Sequence, residues 1–401
     1  MLKIIENIRS APWIDRDRII SYLKILLVGE ILAFLYFTLE INGVILNGIE
    51  HGASIDFLSF YTAGHMANTG AAELIYQPAQ LYAAEQKISA DEGVTYFGFF
   101  YPPVFLLICS FLARLPYVGA YLAWMTTTGS LYLLSIRSIL RRPALLLPAL
   151  AFPPAFVALG SGQNSFLTAA LFGGATALLD RCPAIAGVLF GALCYKPHFG
   201  LLLPVALIAG RHWRAFFSAT LTVTALIGLS LALYGLAPWR GFLSISSVAQ
   251  SVFAQGNVEF EKLISPFAAV RFWGGSVTAA LCVQAATSVT AAICVAVVWR
   301  RRSSLASRAA VLCSATLIAL PVILDYDLLL AAIPMTWILR EALRTGFLPW
   351  EKIGLFAIFA LAFLAWPISR TGHLQLGLPI SLILFALALA RVRREASQAA
   401  A

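Results

Sequence analysis

Apolar runs about as long as a bilayer is thick, separated by short basic clusters, recur along this chain from residue 20 to residue 391. A helix needs about 20 apolar residues to cross the roughly 30 Å hydrocarbon core. Only helices and closed barrels can satisfy their own backbone there. The chain is 60% hydrophobic and 12% charged, against roughly 45–50% and about 25% in soluble domains. A soluble globule is excluded. The expectation is an all-α polytopic integral membrane protein, with residues 1–401 forming one membrane domain.

The net charge of +9 does not point to nucleic acid in such a chain, because Lys and Arg collect in cytoplasmic loops and set orientation. The leader, residues 1–19, is charged for too long and lacks a small-residue cleavage site, so it reads as a retained cytoplasmic segment rather than a signal peptide. Cys109, Cys182, Cys194, Cys282, Cys294 and Cys313 stand singly, mostly within apolar stretches. They read as small core residues, not disulfides or metal ligands.

The basic clusters fix the expected crossings. Residues 20–41 carry the chain out, and 42–100 form an external loop with amphipathic interfacial helices. The chain then returns at Arg137, Arg141 and Arg142, at Arg181, at Arg211 and Arg214, at Arg300 to Arg302, at Arg340 and Arg344, and at Arg391 to Arg394. Keeping each cluster inside requires out-and-back pairs at 145–159 with 166–179, at 183–210 broken at Lys196-Pro197, and at 309–324 with 328–339. Spans near 214–236, 276–299, 352–369 and 375–391 bring the total to about twelve crossings. Several are short or broken. Both termini are then cytoplasmic, with 392–401 as a tail. Residues 103–115 do not fit a full crossing and are expected to be re-entrant or a half-helix.

This topology puts Asp56, His65, Gln163, Asn164, Lys196, His198, Arg271, Asp325, Asp327 and His373 on the extracytoplasmic face. Ionisable groups at membrane depth normally face a wet cavity or a partner, so several from separate loops point to one site. Asp56 opens a helix that Ser54 can cap, with 57, 60, 61 and 64 on one face. It is either a first-turn acid favoured by the helix dipole or a general base. Lys196 and His198 flank Pro197 at a helix break, where a cation suits an anionic ligand such as phosphate, or where a lysine snorkels to the interface. Gly160 to Asn164 is a glycine turn offering amides to hydroxyls or phosphate. Asp325-Tyr326-Asp327 has a spacing that can hold a divalent metal, orient sugar hydroxyls or pair with Lys196 or Arg271. Phe97, Phe99, Phe100, Tyr101, Trp239, Phe242 and Trp273 read mainly as an interfacial belt.

Asp56-Phe57 with Phe60-Tyr61-x-Ala63-Gly64, then Tyr101-Pro102-Pro103, Gly162-Gln163-Asn164, Lys196-Pro197 and Tyr326-Asp327, run in order from about residue 50 to 335. In that order the sequence resembles glycosyltransferase family 87, the polyprenol-phosphate-mannose-dependent mannosyltransferases of the GT-C superfamily. The C-terminal spans carry none of these motifs. The resemblance implies a GT-C-like bundle in the plasma (inner) membrane and an inverting hexosyltransferase. The donor would be a polyprenyl-phosphate sugar, with mannose the expected hexose, and the acceptor a glycan or glycolipid hydroxyl. It makes Asp56 the base, Lys196 a donor-phosphate contact, and Gln163 and Asp327 shapers of the sugar pocket. Asn164, His198, Asp325, Tyr61, His65 and Arg271 complete the candidate substrate contacts. No metal or other cofactor is implied. The rival expectation is a transporter or flippase for a lipid-linked or polar solute, because broken helices also mark carrier sites.

Overall fold

The computed structural model describes residues 2–36, 55–141, 146–255, 260–301, 303–372 and 374–400. Ser54, the expected cap, and His373 lie outside the described residues, as does the first part of the external segment. The described residues are mostly helical, and among them an isolated antiparallel bridge pairs Leu263 with Leu324. The elements that place the site are α1 (Leu2–Ser10), α2 (Arg16–Tyr36), α3 (Phe57–Asn68), α4 (Pro78–Ser89), α5 (Leu106–Leu112), α6 (Tyr117–Leu140), α7 (Pro153–Ser161), α8 (Ser165–Leu178), α9 (Pro183–Ala192), α10 (Leu203–Ala209), α11 (Trp213–Tyr234), α12 (Ala237–Gln255), α13 (Pro266–Phe272), α14 (Val277–Arg300), α15 (Leu305–Ala319), α16 (Ala332–Thr345), α17 (Glu351–Gly372) and α18 (Gly377–Ala400).

Among the described residues, α2, α11 and α14 are long and apolar enough to cross a membrane, with α5 and α6 a fourth if that bent pair is one span. Their large apolar side chains point outward: Ile25 is 70% exposed and Leu221 70%, as lipid-facing residues must be. The centre of the bundle is instead built from shorter helices. Of these, α8 has 14 residues, a length of about 21 Å. Residues 103–115 form a 3-10 turn and the seven-residue α5 before the chain bends by 117° into α6. Pro116 ends the first piece, because the residue before a proline is held out of helical geometry.

The helix after Asp56 is not the amphipathic surface element that its apolar spacing predicts. In α3, Phe57, Leu58, Ser59, Phe60, Thr62, Ala63, Gly64 and Met66 are all buried, so both faces are covered. The reason is close backbone approach to the half-helix α5. A Cβ on Gly64 would stand 2.0 Å from the carbonyl oxygen of Cys109. Small residues let α9 and α11 meet in the same way, with Gly187 on the Ala215 carbonyl and Gly191 on that of Ala219.

The aromatics expected at the interface divide. Phe100 and Trp273 are exposed. Phe99 and Tyr101 instead pack on Phe60 and Phe105 inside the bundle, and Phe105 stacks on Tyr195 with ring centroids 5.2 Å apart. The cysteines also divide: Cys109 and Cys313 are buried, Cys182 and Cys282 exposed, and all six are unpaired.

The basic clusters converge at one end of the bundle. Arg308 reaches Asp180 and His212, Arg340 lies in the field of Arg141, Arg181 and Arg344, and the Trp350 N–H donates to the Arg9 carbonyl. Arg391 is fully paired there, with Glu351, Thr345 and the Gly346 carbonyl. The N-terminus of α8 lies at the opposite end. Replacing Gly64 with Ala is expected to lower stability by at least about 2 kcal/mol through overpacking, read as a fall in Tm of the detergent-solubilised protein.

Candidate active site

The polar residues from four separate loops meet where short helices end. The first is Asp56, at the N-cap position of α3, where its carboxylate makes no capping hydrogen bond. A first-turn acid serving the helix alone would accept from the N–H groups it precedes. Asp56 instead accepts from the Gln163 amide, Nε2 to Oδ2 2.8 Å.

Gln163 is presented by the break between α7 and α8. The break is a Schellman turn, in which the Gln163 N–H donates to the Ala158 carbonyl and that of Gly162 to Leu159. Gly162 takes the left-handed φ of +70° that this turn requires, and a Cβ there would meet Phe57 Cβ at 2.5 Å. The residue after Asp56 therefore packs directly on the residue before Gln163. Trp124 Nε1 and the Tyr121 hydroxyl hold the same turn through the carbonyls of Gly162 and Leu159. Gln163 Oε1 in turn accepts from the Tyr101 hydroxyl at 3.3 Å and from the Asn164 N–H at 3.3 Å.

Asn164 carries the connection onward. Its Oδ1 accepts from Lys196 Nζ at 3.1 Å, and the same ammonium lies 2.5 Å from Asp327 Oδ1. Lys196 is 4% exposed and Asp327 2%, and the rings of Phe199 and Tyr326 cover the ammonium at 5.0 and 5.3 Å. The break that presents Lys196 is set locally. Pro197 forces the preceding residue to an extended φ of −133°, splitting the chain into two 3-10 turns. Thr168 and the Asn164 carbonyl hold Tyr195 from α8. An unbroken relay thus runs from Asp56 through Gln163, Asn164 and Lys196 to Asp327.

The two acids of Asp325-Tyr326-Asp327 do different work. Asp327 is spent on Lys196 and also accepts from Ser165 at 3.4 Å. Asp325 accepts its neighbour's N–H at 2.8 Å and lines a cleft with Glu261, Pro154 and Val157. Burial pushes the Asp325 carboxyl up to about 6, against the lowering field of Lys262. The Asp56 carboxyl is also raised, first by burial, with the Gln163 hydrogen bond and Lys262 opposing. Among the described residues, no three His, Cys, Asp or Glu side chains are grouped to hold a metal ion.

Four further candidate contacts are not members of this relay. Tyr61 donates to the Leu115 carbonyl and packs on Tyr117, so it braces the bend after α5. His65 is exposed, about 13 Å beyond Asp56 along the helix axis. His198 follows Pro197, is exposed, packs on Phe199 and lies in the field of Lys196 without a hydrogen bond to the relay. Arg271 donates to the Gly275 carbonyl and lies over Phe260. Tyr101, Glu261 and Lys262 were not among the expected site residues. The sequence signal for the last two is the charged cluster Glu259-Phe260-Glu261-Lys262.

With this geometry in place, comparison adds a family. Residues 99–323 match the family model of Glycosyltransferase family 87, more than half of the 401-residue chain, and the chain belongs to that family. The match includes Gln163, Asn164, Lys196 and Lys262; Asp56, Asp325 and Asp327 fall outside it. Neither the curated proteins nor the solved structures contain a match.

Replacing Lys196 with Met leaves a buried carboxylate without its cation, at an expected loss of about 3–5 kcal/mol. The double replacement Lys196→Met with Asp327→Leu is expected to recover most of that loss. Thermal unfolding of the single and double variants checks both.

Proposed function

We propose that this member of glycosyltransferase family 87 moves a hexose, mannose being the expected one, from a polyprenyl-phosphate donor to a hydroxyl of a glycan or glycolipid. The observation that carries the reading is the placement of Asp56. A half-buried carboxylate turned away from its own helix is held at one oxygen by Gln163 and kept more basic than an ordinary carboxylate by burial. Those are the properties of a general base poised to take a proton from a hydroxyl. Family membership favours transfer over carriage of a solute.

In the proposed reaction the acceptor oxygen attacks the anomeric carbon and passes its proton to the free oxygen of Asp56. The bond from that carbon to the phosphate oxygen breaks, the electron pair leaves with the phosphate, and the configuration inverts. Lys196 and Asp327 neutralise each other, so their part is to hold Asn164, and through it Gln163, against the base. No metal takes part in this scheme. The site end faces the extracytoplasmic side of the plasma membrane, with both termini and the basic clusters inside and about twelve crossings between. The gathering of arginines at the end opposite Asp56 supports that orientation.

Asp56→Asn is expected to reduce release of polyprenyl phosphate from a polyprenyl-phosphate mannose by about 10²–10⁴-fold at unchanged Tm; turnover near wild type rejects the assignment. The base must be ionised to act, so its raised pKa places the acid limb of the kcat/KM profile above the ordinary carboxylate range. The Gln163 hydrogen bond lowers that pKa. Gln163→Leu is therefore expected to move the acid limb to higher pH, and an unmoved limb counts against the pair.

A further inference from the structure

We infer that Arg141, Arg181 and Arg340, at the end of the bundle opposite Asp56, form a binding site for the phosphate headgroup of an anionic phospholipid. The inference does not depend on the sugar-transfer reading. It starts from three helices, α6, α8 and α16, that share a direction. Tyr121 and Trp124 of α6 hold the Gly162 turn, α8 begins beside Gln163 and Asn164, and α16 follows directly on the 3-10 turn that contains Asp327. All three therefore run away from the candidate active site.

They meet closely on the way. A Cβ on Gly173 of α8 would stand 2.5 Å from Ser135 Oγ of α6 and 2.9 Å from Ile333 Cδ1 of α16. One turn further, Trp337 of α16 donates to the Thr176 hydroxyl of α8 at 3.1 Å, and the Arg340 guanidinium lies over the Trp337 ring at 4.9 Å. Arg141 at the C-cap of α6 and Arg181 in the turn after α8 each follow within about two turns of the Gly173 contact. Packed helices lie about 8–10 Å apart, so three parallel ends tied in this way bring their arginines to one patch. Arg340 accordingly lies in the repulsive field of both others.

The acids next to these arginines along the chain are committed elsewhere. Glu341 pairs with Arg344 at 2.6 Å, and Asp180 with Arg308 at 3.4 Å. Among the described residues, no carboxylate pairs with Arg141, Arg181 or Arg340, and all three are exposed. An arginine at a helix C-terminus can serve the dipole or the orientation of the chain, but neither role requires three of them to converge. Converging guanidinium groups without a counterion match phosphate in both charge and geometry.

What adjoins the patch selects a lipid over a free anion. On α6, Leu131, Leu134, Arg137 and Arg141 follow at three- and four-residue spacing and share a face. Both leucines and Arg137 are exposed, as is Leu343 one turn past Arg340. Acyl chains can lie along the leucines while the phosphate sits on the guanidinium groups, as basic pockets at membrane-helix ends hold anionic headgroups.

The test measures binding of phosphatidylglycerol to the purified full-length protein in detergent, with phosphatidylcholine and inorganic phosphate as the other probes. Wild type is compared with a triple variant carrying Arg141→Gln, Arg181→Gln and Arg340→Gln. A charge-matched control carries Arg211→Gln, Arg214→Gln and Arg300→Gln. At about fivefold per arginine, phosphatidylglycerol binding is expected to weaken about 100-fold in the triple variant and to stay near wild type in the control. The single variant Arg181→Gln, expected to bind about fivefold more weakly, decides the matter if the triple variant does not fold. Equal weakening in the two triple variants, or an unweakened Arg181→Gln, overturns the site. Phosphatidylcholine binding as tight as phosphatidylglycerol, or displacement of the lipid by an equal concentration of inorganic phosphate, overturns the anionic lipid as its occupant.

Discussion

The site depends on one buried ion pair. Lys196 and Asp327 lie 131 residues apart in sequence, and each is almost fully withdrawn from solvent. Such a pair is costly to desolvate and tolerable only when its remaining donors and acceptors are met. Here Asn164 takes the second lysine contact, Ser165 approaches the same carboxylate oxygen, and two aromatic rings cover the charge. Three helix breaks are thereby held together: the turn before α8, the Pro197 kink, and the 3-10 turn that begins at Asp325. Because Gln163 precedes Asn164, holding one positions the other against Asp56. The salt bridge is thus linked through Asn164 and Gln163 to the Asp56 carboxylate.

The bundle separates its charges by end. At one end, Arg391 with Glu351, Arg308 with Asp180 and His212, and Glu395 with Ser304 and Ser307 bind the helix ends to one another. The other end holds carboxylates, amides and lysines at interrupted helices. Long apolar helices such as α11 and α14 expose their side chains along the flanks, while shorter helices fill the middle. Interrupted helices leave backbone groups to be satisfied by neighbours, and these same interruptions deliver polar side chains to one place. Short central helices and a polar site at their ends are thus one structural solution.

Much of this was legible in the sequence, and the failures have identifiable causes. Apolar length and basic clusters located the long helices, and Pro103, Pro116 and Pro197 marked real breaks because proline acts on its own neighbourhood. Asp56, Gln163, Asn164, Lys196 and Asp327 were identified as residue types out of place in an apolar chain, and they do meet. Tyr61, His65, His198 and Arg271 pass the same test but do not join the relay, since a polar residue in an external loop can as well brace a bend or face outward. The apolar spacing of residues 57–68 predicts one covered face, and only the close approach of α5 at Gly64 covers the other. The proximity of Lys262 to Asp325 is not legible along the chain, because it comes from a bridge between segments 61 residues apart.

By itself the sequence determined that the chain is a membrane-embedded helical protein, which helices are long, where they break and which family motifs they carry. These properties are local or additive: hydropathy sums along a segment, and proline and glycine act within a few residues. The tertiary structure decided which polar groups share a site and what each is paired with. It turned Lys196 from a free cation into half of a sealed ion pair, and Asp56 from a helix-terminal acid into a carboxylate held by an amide 107 residues away. Burial and charge pairing depend on what packs against a residue from distant parts of the chain, and spacing along the chain does not encode that.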